Sequence, residues 1–487
     1  MKTAPETGSN WKIVKEVNRR VSRLICIFIL GSVALNAHGQ DWFERFKSSA
    51  SNEELHDFLY AMPKGGDLHQ HMSGSIFPEW FYDAAMTQVE LGHRYYVKQK
   101  INNCETAMFG PEAQAYLLLN MTVDQQTYEG LSRCEQAEYT PLEQLSDTAR
   151  TRWMNSLILD QPHEGRDEFF ERHWPRMFGI ARNVNLVADV FAENVKAFAA
   201  EGLSYLEPQI PIFGFVDDQG AAISPEQVLQ VYLDRLDQPD VKKTGIEVRM
   251  QVSLLRFLPD AEAQLKVLYR FAHDNDAVVA VNMVGREDND KGYPLRFLQT
   301  LRELRKKYDG VNLSIHAGEV DEPNHHIRDT LLLGAQRIGH GVNLITDPQT
   351  LQAMRYGPYL VEVNLISNLL LEYVSDYSTH PFPEYLRLGV PVALSTDDRG
   401  MWDSIMTDEF FVAVREFDLS WAEVKQLSRN SLRYAFVDEA TRTRLLADYD
   451  SRISKFERAY QRRGAEFYEG QTTLRRGFIC RRYEVCE

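Results

Sequence analysis

Residues 62–75 read MPKGGDLHQHMSGS, an apolar run that ends in the two histidines His69 and His71. Side chains two positions apart on an extended segment leave the same face, so these two rings can converge on one ion. This run is the first of eight strand-like apolar stretches that alternate with longer helical stretches. Such alternation favours a parallel sheet with crossover helices, and eight parallel strands close a (β/α)8 barrel of the TIM type. The eight runs cover residues 66–71, 203–207, 246–255, 278–284, 311–316, 335–339, 359–363 and 392–395.

The remaining segments predict additions to this α/β barrel. More than a hundred residues separate the first two runs, which predicts a long helical insertion at about residues 86–165. After Trp402 the sequence is mostly amphipathic helix, which predicts a helical C-terminal extension. The expected organisation is a helical lead-in at 40–61, a barrel domain at 62–470 and a tail at 471–487.

The first 39 residues have the order of a secretory signal peptide. Basic residues precede a mostly apolar run from Leu24 to Leu35, followed by Ala37-His38-Gly39. Twelve such residues fall short of the roughly 20 that span a bilayer, so we predict an exported protein, periplasmic or secreted, without stable membrane insertion after signal removal. A buried N-terminal helix is the alternative.

Export would place four cysteines in an oxidising compartment, since Cys26 leaves with the signal peptide. Four cysteines allow three disulfide connectivities. The pairing that is local in sequence, Cys104 with Cys134 and Cys480 with Cys486, is the least demanding of them, and spacing alone does not select it.

The charge balance argues against a nucleic-acid partner. The chain has 54 basic and 70 acidic residues, a net charge of −16, and no basic block large enough to follow a phosphate backbone. Removing residues 1–39 takes away six basic and two acidic residues and leaves −20.

Three later runs also end in polar residues, in the motifs SIHAGE, RIGHG and ALSTDD. They supply His316 with Glu319, then His340, then Asp397 with Asp398. Taken singly, each motif has an ordinary structural explanation. His316 could be a strand-end cap, His340 a turn histidine, and the two aspartates solvated loop acids. The first pair, His69 and His71, could be ordinary surface or core histidines. Because chemistry in such barrels lies at the C-terminal ends of strands, their occurrence at the ends of runs one, five, six and eight indicates one shared site.

Three imidazoles and one carboxylate leave a coordination position for water, which is the arrangement of a catalytic zinc. Many two-metal barrels use a bridging carbamylated lysine, but the candidate strands VRMQVSLLRF and VVAVNMVGRE contain none. We therefore expect one Zn²⁺ per chain.

The ordered motifs MPKGGDLHQHMSGS, VVAVNMVGRE, SIHAGEV, RIGHG, VEVNLISN and ALSTDD resemble those of the adenosine deaminase family from Met62 to Phe436, apart from the insertion. The resemblance implies a zinc-dependent hydrolytic deaminase that converts adenosine to inosine and ammonia. It implies Glu319 as general acid and His340 as the residue that orients the attacking water. It also implies that the zinc ligands are His69, His71, His316 and Asp397.

For the substrate, the resemblance places the Gly285 amide at purine N3 and Asp398 at N7. The family's usual first motif has an aspartate that contacts the ribose where this chain has Ser73, so ribose recognition differs. Phe169 and Trp174 resemble the apolar segment that covers the ribose, although an ordinary packing face would show the same pattern. The expected substrates are adenosine, 2′-deoxyadenosine or a 5′-modified relative.

Two other function classes remain open. One is a secreted metallohydrolase of another specificity, and the other is a non-catalytic protein that binds nucleosides or a receptor. The cysteine-ligated base deaminases are excluded, because their HxE and PCxxC signature is absent.

Overall fold

The structure is a computed structural model that describes residues 42–102, 104, 118–217, 219–289, 291–320, 322–468, 470 and 473–486. The predicted signal peptide lies outside these residues. The lead-in is helical over 42–49 and over Asn52–Ala61. Within the part of the chain that is described, no helix combines the length and apolar character needed to span a bilayer.

Each of the eight predicted runs contains a strand, and neighbouring strands are parallel throughout. The strands are numbered here in chain order as barrel strands 1 to 8. They span Gly66–Asp67 (1), Tyr205–Leu206 with Gln209–Ile210 (2), Glu247–Val248 with Met250–Leu255 (3), Val278–Val284 (4), Asn312–Ala317 (5), Arg337–His340 (6), Leu360–Val363 (7) and Val392–Leu394 (8).

The segment that follows strand 1 joins the two edges of the sheet. His71 bridges Gln209 in the second part of strand 2, and Gln70 bridges Asp397 after strand 8. The His71 amide donates to the Asp397 carbonyl at 3.0 Å, and the Asp397 amide donates to the His69 carbonyl at 2.9 Å. These bridges complete a ring of eight strands, which confirms the predicted barrel.

Helices lie between the strands, and their ends carry the expected local signals. Ser224 caps one of them by accepting from the Gln227 amide, while the Gln227 side chain accepts from the Ser224 amide. The α-helices outside the insertion and the tail are Val184–Ala200, Pro225–Leu236, Pro239–Lys242, Ala261–Asp274, Leu298–Leu304, His326–Leu332, Pro348–Tyr356, Leu365–Leu370, Phe382–Leu388, Arg399–Trp402, Met406–Phe417, Trp421–Arg433 and Glu439–Arg463.

The insertion contains a small antiparallel sheet as well as the predicted helices. Tyr95–Lys98 pairs with Thr122–Asp124 on one side and with Tyr139–Pro141 on the other. These short strands are rich in aromatic and β-branched residues, a local preference that an expectation of helices alone overlooked. The helical pieces from the first strand to residue 182 are Pro78–Glu90, Gln125–Gly130, Arg133–Gln136, Leu142–Gln144, Asp147–Asn155, Arg166–Glu168, Phe169–His173, Trp174–Met177 and Ile180–Arg182.

Both disulfides have the sequence-local pairing. Cys104 is bonded to Cys134 in the insertion and Cys480 to Cys486 in the tail, with Cα atoms 5.8 and 5.1 Å apart. The tail forms a helix over Gly477–Tyr483, and the Gly477 amide donates to Asp403 Oδ2 at 3.0 Å. The tail is therefore fastened to the loop region that follows strand 8.

The barrel interior contains an ion-pair network as well as apolar side chains. The buried Arg337 guanidinium lies between two buried carboxylates, 2.5 Å from Glu207 and 2.7 Å from Glu362. Its guanidinium also stacks 3.7 Å from the centre of the Phe436 ring. Because unpaired charge inside a protein is costly, the network holds strands 2, 6 and 7 in register.

Replacing the central cation should therefore destabilise the fold strongly. We expect Arg337→Met to lower the free energy of unfolding by about 3–5 kcal/mol, since it leaves two buried carboxylates without their partner. Urea unfolding followed by circular dichroism measures this. The control is Arg429→Met, which breaks a half-exposed pair with Asp450 and should cost less than about 1 kcal/mol. Similar losses in both variants would contradict the role given to Arg337.

Candidate active site

The four predicted metal ligands meet at the C-terminal mouth of the barrel. The ring nitrogens His69 Nε2 and His71 Nε2 lie 3.4 and 3.2 Å from Asp397 Oδ1. His71 Nε2 also lies 3.2 Å from His316 Nε2. His340 belongs to the same cluster, because its nearest nitrogen and those of His69, His316 and Asp397 Oδ1 all lie within 4.8 Å of one another.

The donor atoms of this cluster fit a divalent cation. His69 Nε2 and Asp397 Oδ1 are buried and make no hydrogen bond in the described structure, although they face each other. Burial lowers the pKa of His69, but the neighbouring carboxylates of Asp397 and Glu362 outweigh that effect and raise the pKa to about 10. Imidazole nitrogens together with a carboxylate oxygen are ligands that zinc prefers.

Two ligand rings are oriented by side chains from inside the barrel. His69 Nδ1 lies 2.8 Å from Glu362 Oε2, and His316 Nδ1 lies 3.0 Å from Asn282 Oδ1. Such partners fix which ring nitrogen faces a metal. No motif in the sequence marks Glu362 or Asn282 as functional. The available signal was a polar residue inside an otherwise apolar strand, where it must point into the barrel.

His340 is positioned by an unusual backbone conformation. Its φ is +63° at the end of strand 6, which non-glycine residues adopt uncommonly and which clusters at functional sites. The Asn368 side-chain amide lies 3.0 Å from His340 Nδ1, and His340 Nε2 lies 3.5 Å from Glu319 Oε1. The preceding Gly339 leaves no room for a side chain, since a Cβ there would lie 2.6 Å from the His69 ring.

Glu319 is buried beside the cluster in an acidic environment. Burial, and then the negative charge of Asp397, raise the pKa of Glu319 well above its usual value. The carboxyl therefore keeps its proton to higher pH than an exposed glutamate does, which suits a proton donor.

The loop that carries Glu319 is fixed by Glu287, a residue whose role the sequence did not reveal. Its carboxylate accepts from the Gly318 amide at 3.1 Å and from the Glu319 amide at 2.9 Å. Burial raises the pKa of Glu287, but hydrogen bonding from His326 and the charge of Arg256 outweigh it and lower the pKa. Glu287 therefore serves as an anionic anchor for the loop.

A cavity of about 1070 Å³ opens from the cluster, and most of its wall is apolar. His71, His316, Glu319 and Asp397 line its inner end. The five predicted substrate contacts also line it, and they are Gly285, Asp398, Ser73, Phe169 and Trp174. The structure therefore brings all the predicted site residues either to this cavity or to the ligand cluster behind it.

The adenosine deaminase family model matches residues 156–452, which is more than half of the chain. The chain belongs to the adenosine deaminase family. The family match begins after His69 and His71, so their place in this deaminase rests on the structure. An adenosine deaminase from Lutzomyia longipalpis is 24% identical over 424 residues, covering 83% of this chain and 80% of that protein. An adenine deaminase from Chelativorans sp. is 29% identical over 281 residues, covering 56% and 80%.

Solved structures share the fold of this deaminase. Arabidopsis ADAL complexed with IMP has a TM-score of 0.60 at 20% identity, covering 82% of this chain and 99% of that chain. A Burkholderia ambifaria amidohydrolase with bound Zn has a TM-score of 0.55 at 18% identity, covering 82% and 94%. The protein is accordingly a hydrolytic deaminase that acts on purines, which disfavours a non-catalytic binding protein.

Removing the partner of one ligand ring should weaken metal binding without removing a ligand. We expect Asn282→Ala to lower the affinity for a divalent metal about 10- to 100-fold, because the His316 ring loses its orienting acceptor. Competition with a chromophoric chelator measures the affinity. Asn312→Ala on strand 5 is the control, since Asn312 bonds the Val279 carbonyl and the Gln336 side chain away from the cluster. An unchanged affinity in Asn282→Ala would exclude the proposed orientation.

Proposed function

We propose that this deaminase hydrolyses adenosine, 2′-deoxyadenosine or a 5′-modified adenosine to the corresponding inosine and ammonia, using one zinc ion. The observation that carries the proposal is a cluster of imidazoles and one carboxylate at the inner end of an apolar cavity, with the buried acid Glu319 beside it. His69, His316, His340 and Asp397 of this cluster are buried, and the part-buried His71 ring lies 3.2 Å from both Asp397 Oδ1 and His316 Nε2. This arrangement combines a metal site, a proton donor and room for a nucleoside in one place.

The proposed zinc ligands are His69, His71, His316 and Asp397. The unsatisfied, buried donor atoms of this set support zinc, as does the zinc bound to the Burkholderia ambifaria neighbour of similar fold. When bound, zinc would supply Lewis-acid activation by lowering the pKa of a water molecule.

Glu319 donates a proton to purine N1 in the proposed reaction. Protonation of N1 withdraws electrons from C6, where water adds as a hydroxyl while its other proton passes to the Glu319 carboxylate. The amino group takes up that proton as the C6–N bond breaks and leaves as ammonia, and the C6 hydroxyl returns a proton to Glu319 as the carbonyl of inosine forms. Burial raises the pKa of Glu319, which favours the protonated carboxyl that this role requires, and Glu287 holds its loop in place. His340, 3.5 Å from Glu319, is placed to orient the attacking water.

Two cavity residues would fix which edge of the purine faces the cluster. Gly285 follows strand 4, and we assign its amide to N3. Asp398 is buried next to Asp397, its Oδ1 atom lacks a hydrogen-bond partner in the described structure, and we assign it to N7. Holding the base at these two atoms keeps C6 in reach of the nucleophile, which is the contribution of orientation to the rate.

Related proteins include adenine deaminases as well as adenosine deaminases, so the free base is the competing substrate. The size of the cavity favours the nucleoside, because a base held at the cluster would leave the apolar outer part unfilled. Ser73 lies in this cavity where the family usually has an aspartate, and we propose that it forms a weaker, neutral hydrogen bond to the sugar.

The acid role of Glu319 gives the most direct test of the reaction. We expect Glu319→Gln to lower kcat for adenosine about 10²- to 10⁴-fold while zinc stays bound, because an amide cannot donate the proton. The shift of the ultraviolet spectrum from adenosine to inosine measures turnover, and elemental analysis measures zinc. Glu322→Gln, on the exposed part of the same loop, is the control.

Normal turnover in Glu319→Gln would remove this residue from the mechanism. Ammonia release from adenine, with none from adenosine, would instead show that the substrate is the free base and not the nucleoside.

We also propose that the protein is exported after removal of residues 1–39, on the strength of the basic residues and apolar run described above. In a bacterial host, intact mass should place the mature N-terminus near Gln40. We expect Ile29→Arg to block processing, because a charge interrupts the apolar run, whereas Ser9→Arg in the basic lead should be processed normally. A full-length mass for the unaltered chain in the periplasm and medium would contradict the proposal.

A further inference from the structure

Close contacts of two glycines define the metal end of the cavity. A Cβ at Gly74 would lie 1.7 Å from Asp398 Oδ1, so backbone already touches the side chain assigned to the purine. Gly339 packs against His69 in the same way. A substituent on the amino group at C6 would point into this packed region. The free volume must therefore lie around the part of the substrate that points away from the cluster, which in the proposed orientation is the ribose.

The wall of the outer cavity carries exposed apolar side chains. Phe178 is 59% exposed and Phe213 is 43% exposed, and both line the cavity. Trp174, whose ring centre lies 6.3 Å from that of His71, connects this wall to the metal cluster. Burying such surface against an apolar group is favourable in proportion to the area covered.

The charges of the cavity oppose a phosphate. Arg182 is the sole arginine or lysine among the described lining residues, and its guanidinium already lies 2.9 Å from the Asp124 carboxylate. It also donates to Thr127 Oγ1 at 3.2 Å. The carboxyl groups of Asp260, Glu319, Asp397 and Asp398 line the same space. The positions after residue 41 that the structure does not describe contain no arginine or lysine in the sequence.

We propose that the outer cavity is a subsite for a neutral, apolar substituent at the 5′ position of the ribose, and that it rejects a 5′-phosphate. The preferred substrates are then 5′-alkylthio or similarly substituted adenosines rather than adenosine monophosphate. This inference rests on the proposed function, because it uses the same metal cluster and the same purine orientation. In this proposal, Phe178 and Phe213 favour an apolar 5′ group. Arg182 does not attract a phosphate, because its guanidinium is already paired with the Asp124 carboxylate.

A comparison of four substrates with the zinc-loaded protein tests the subsite. The substrates are adenosine, 5′-deoxy-5′-(methylthio)adenosine and adenosine 5′-monophosphate, with the propylthio analogue to extend the series. We expect kcat/KM to rise about three- to fourfold for each methylene buried. We expect kcat/KM for the monophosphate to be at least about 100-fold lower than for adenosine, because the phosphate dianion would lose its hydration without gaining a free cation.

Two variants connect this selectivity to residues. Phe213→Ala should reduce the ratio of kcat/KM for the propylthio substrate to that for adenosine about threefold or more, since apolar contact is lost. Its control is Tyr356→Ala, because Tyr356 is 76% exposed and is not among the cavity residues described. Asp124→Asn should reduce the difference in kcat/KM between adenosine and its monophosphate, because it removes the carboxylate that pairs with Arg182. An asparagine at this position can still cap the following helix.

The outcomes separate this inference from the proposed function. If adenosine is deaminated but kcat/KM falls as the 5′ group lengthens, or if the monophosphate is used as well as adenosine, the subsite is wrong and the proposed function stands. If none of the purine nucleosides is deaminated, the proposed function itself fails.

Discussion

A polar group buried inside the barrel must have a partner, and this constraint organises the interior. Arg337 neutralises Glu207 and Glu362, and Glu362 in turn accepts from the ring of His69. Asn282 holds the ring of His316 in the same layer. Once these pairs are formed, His69 Nε2 and Asp397 Oδ1 still lack hydrogen-bond partners in the described structure, and they face each other at the mouth, where the candidate metal site lies.

Closure of the barrel and formation of the site are the same event. Asp397 follows strand 8 and exchanges backbone hydrogen bonds with His69 and His71 after strand 1. It adopts a φ of +55°, which is uncommon for a residue with a side chain. The contacts that join the last strand to the first therefore also bring a carboxylate to two imidazoles. A barrel left open at this seam would lose its metal ligands together with its closing bridges.

The segment over the site is tied to the barrel by charge. Arg166 pairs with Asp288 at 3.1 Å, and Arg286 pairs with Asp167 at 2.6 Å. Arg286 and Asp288 lie just after Gly285, on the loop that carries the proposed N3 contact. The aromatic cover of the cavity, including Trp174, is thus anchored to the loop that orients the base. This link gives the segment that follows the insertion a part in shaping the pocket.

The sequence by itself determined the parts that depend on local pattern. Alternating apolar runs specified eight strands, and polar residues at the ends of runs, such as His316 and Asp397, marked the chemistry, because strand ends meet at one face of a barrel. Only the tertiary structure revealed three contacts. Glu362 orients the ring of His69, Glu287 anchors the loop that carries Glu319, and Asp124 forms an ion pair with Arg182. The two residues of each pair are between 32 and 293 positions apart in the sequence. The contacts also depend on the direction in which each side chain points. A local sequence pattern encodes neither the distant partner nor that direction.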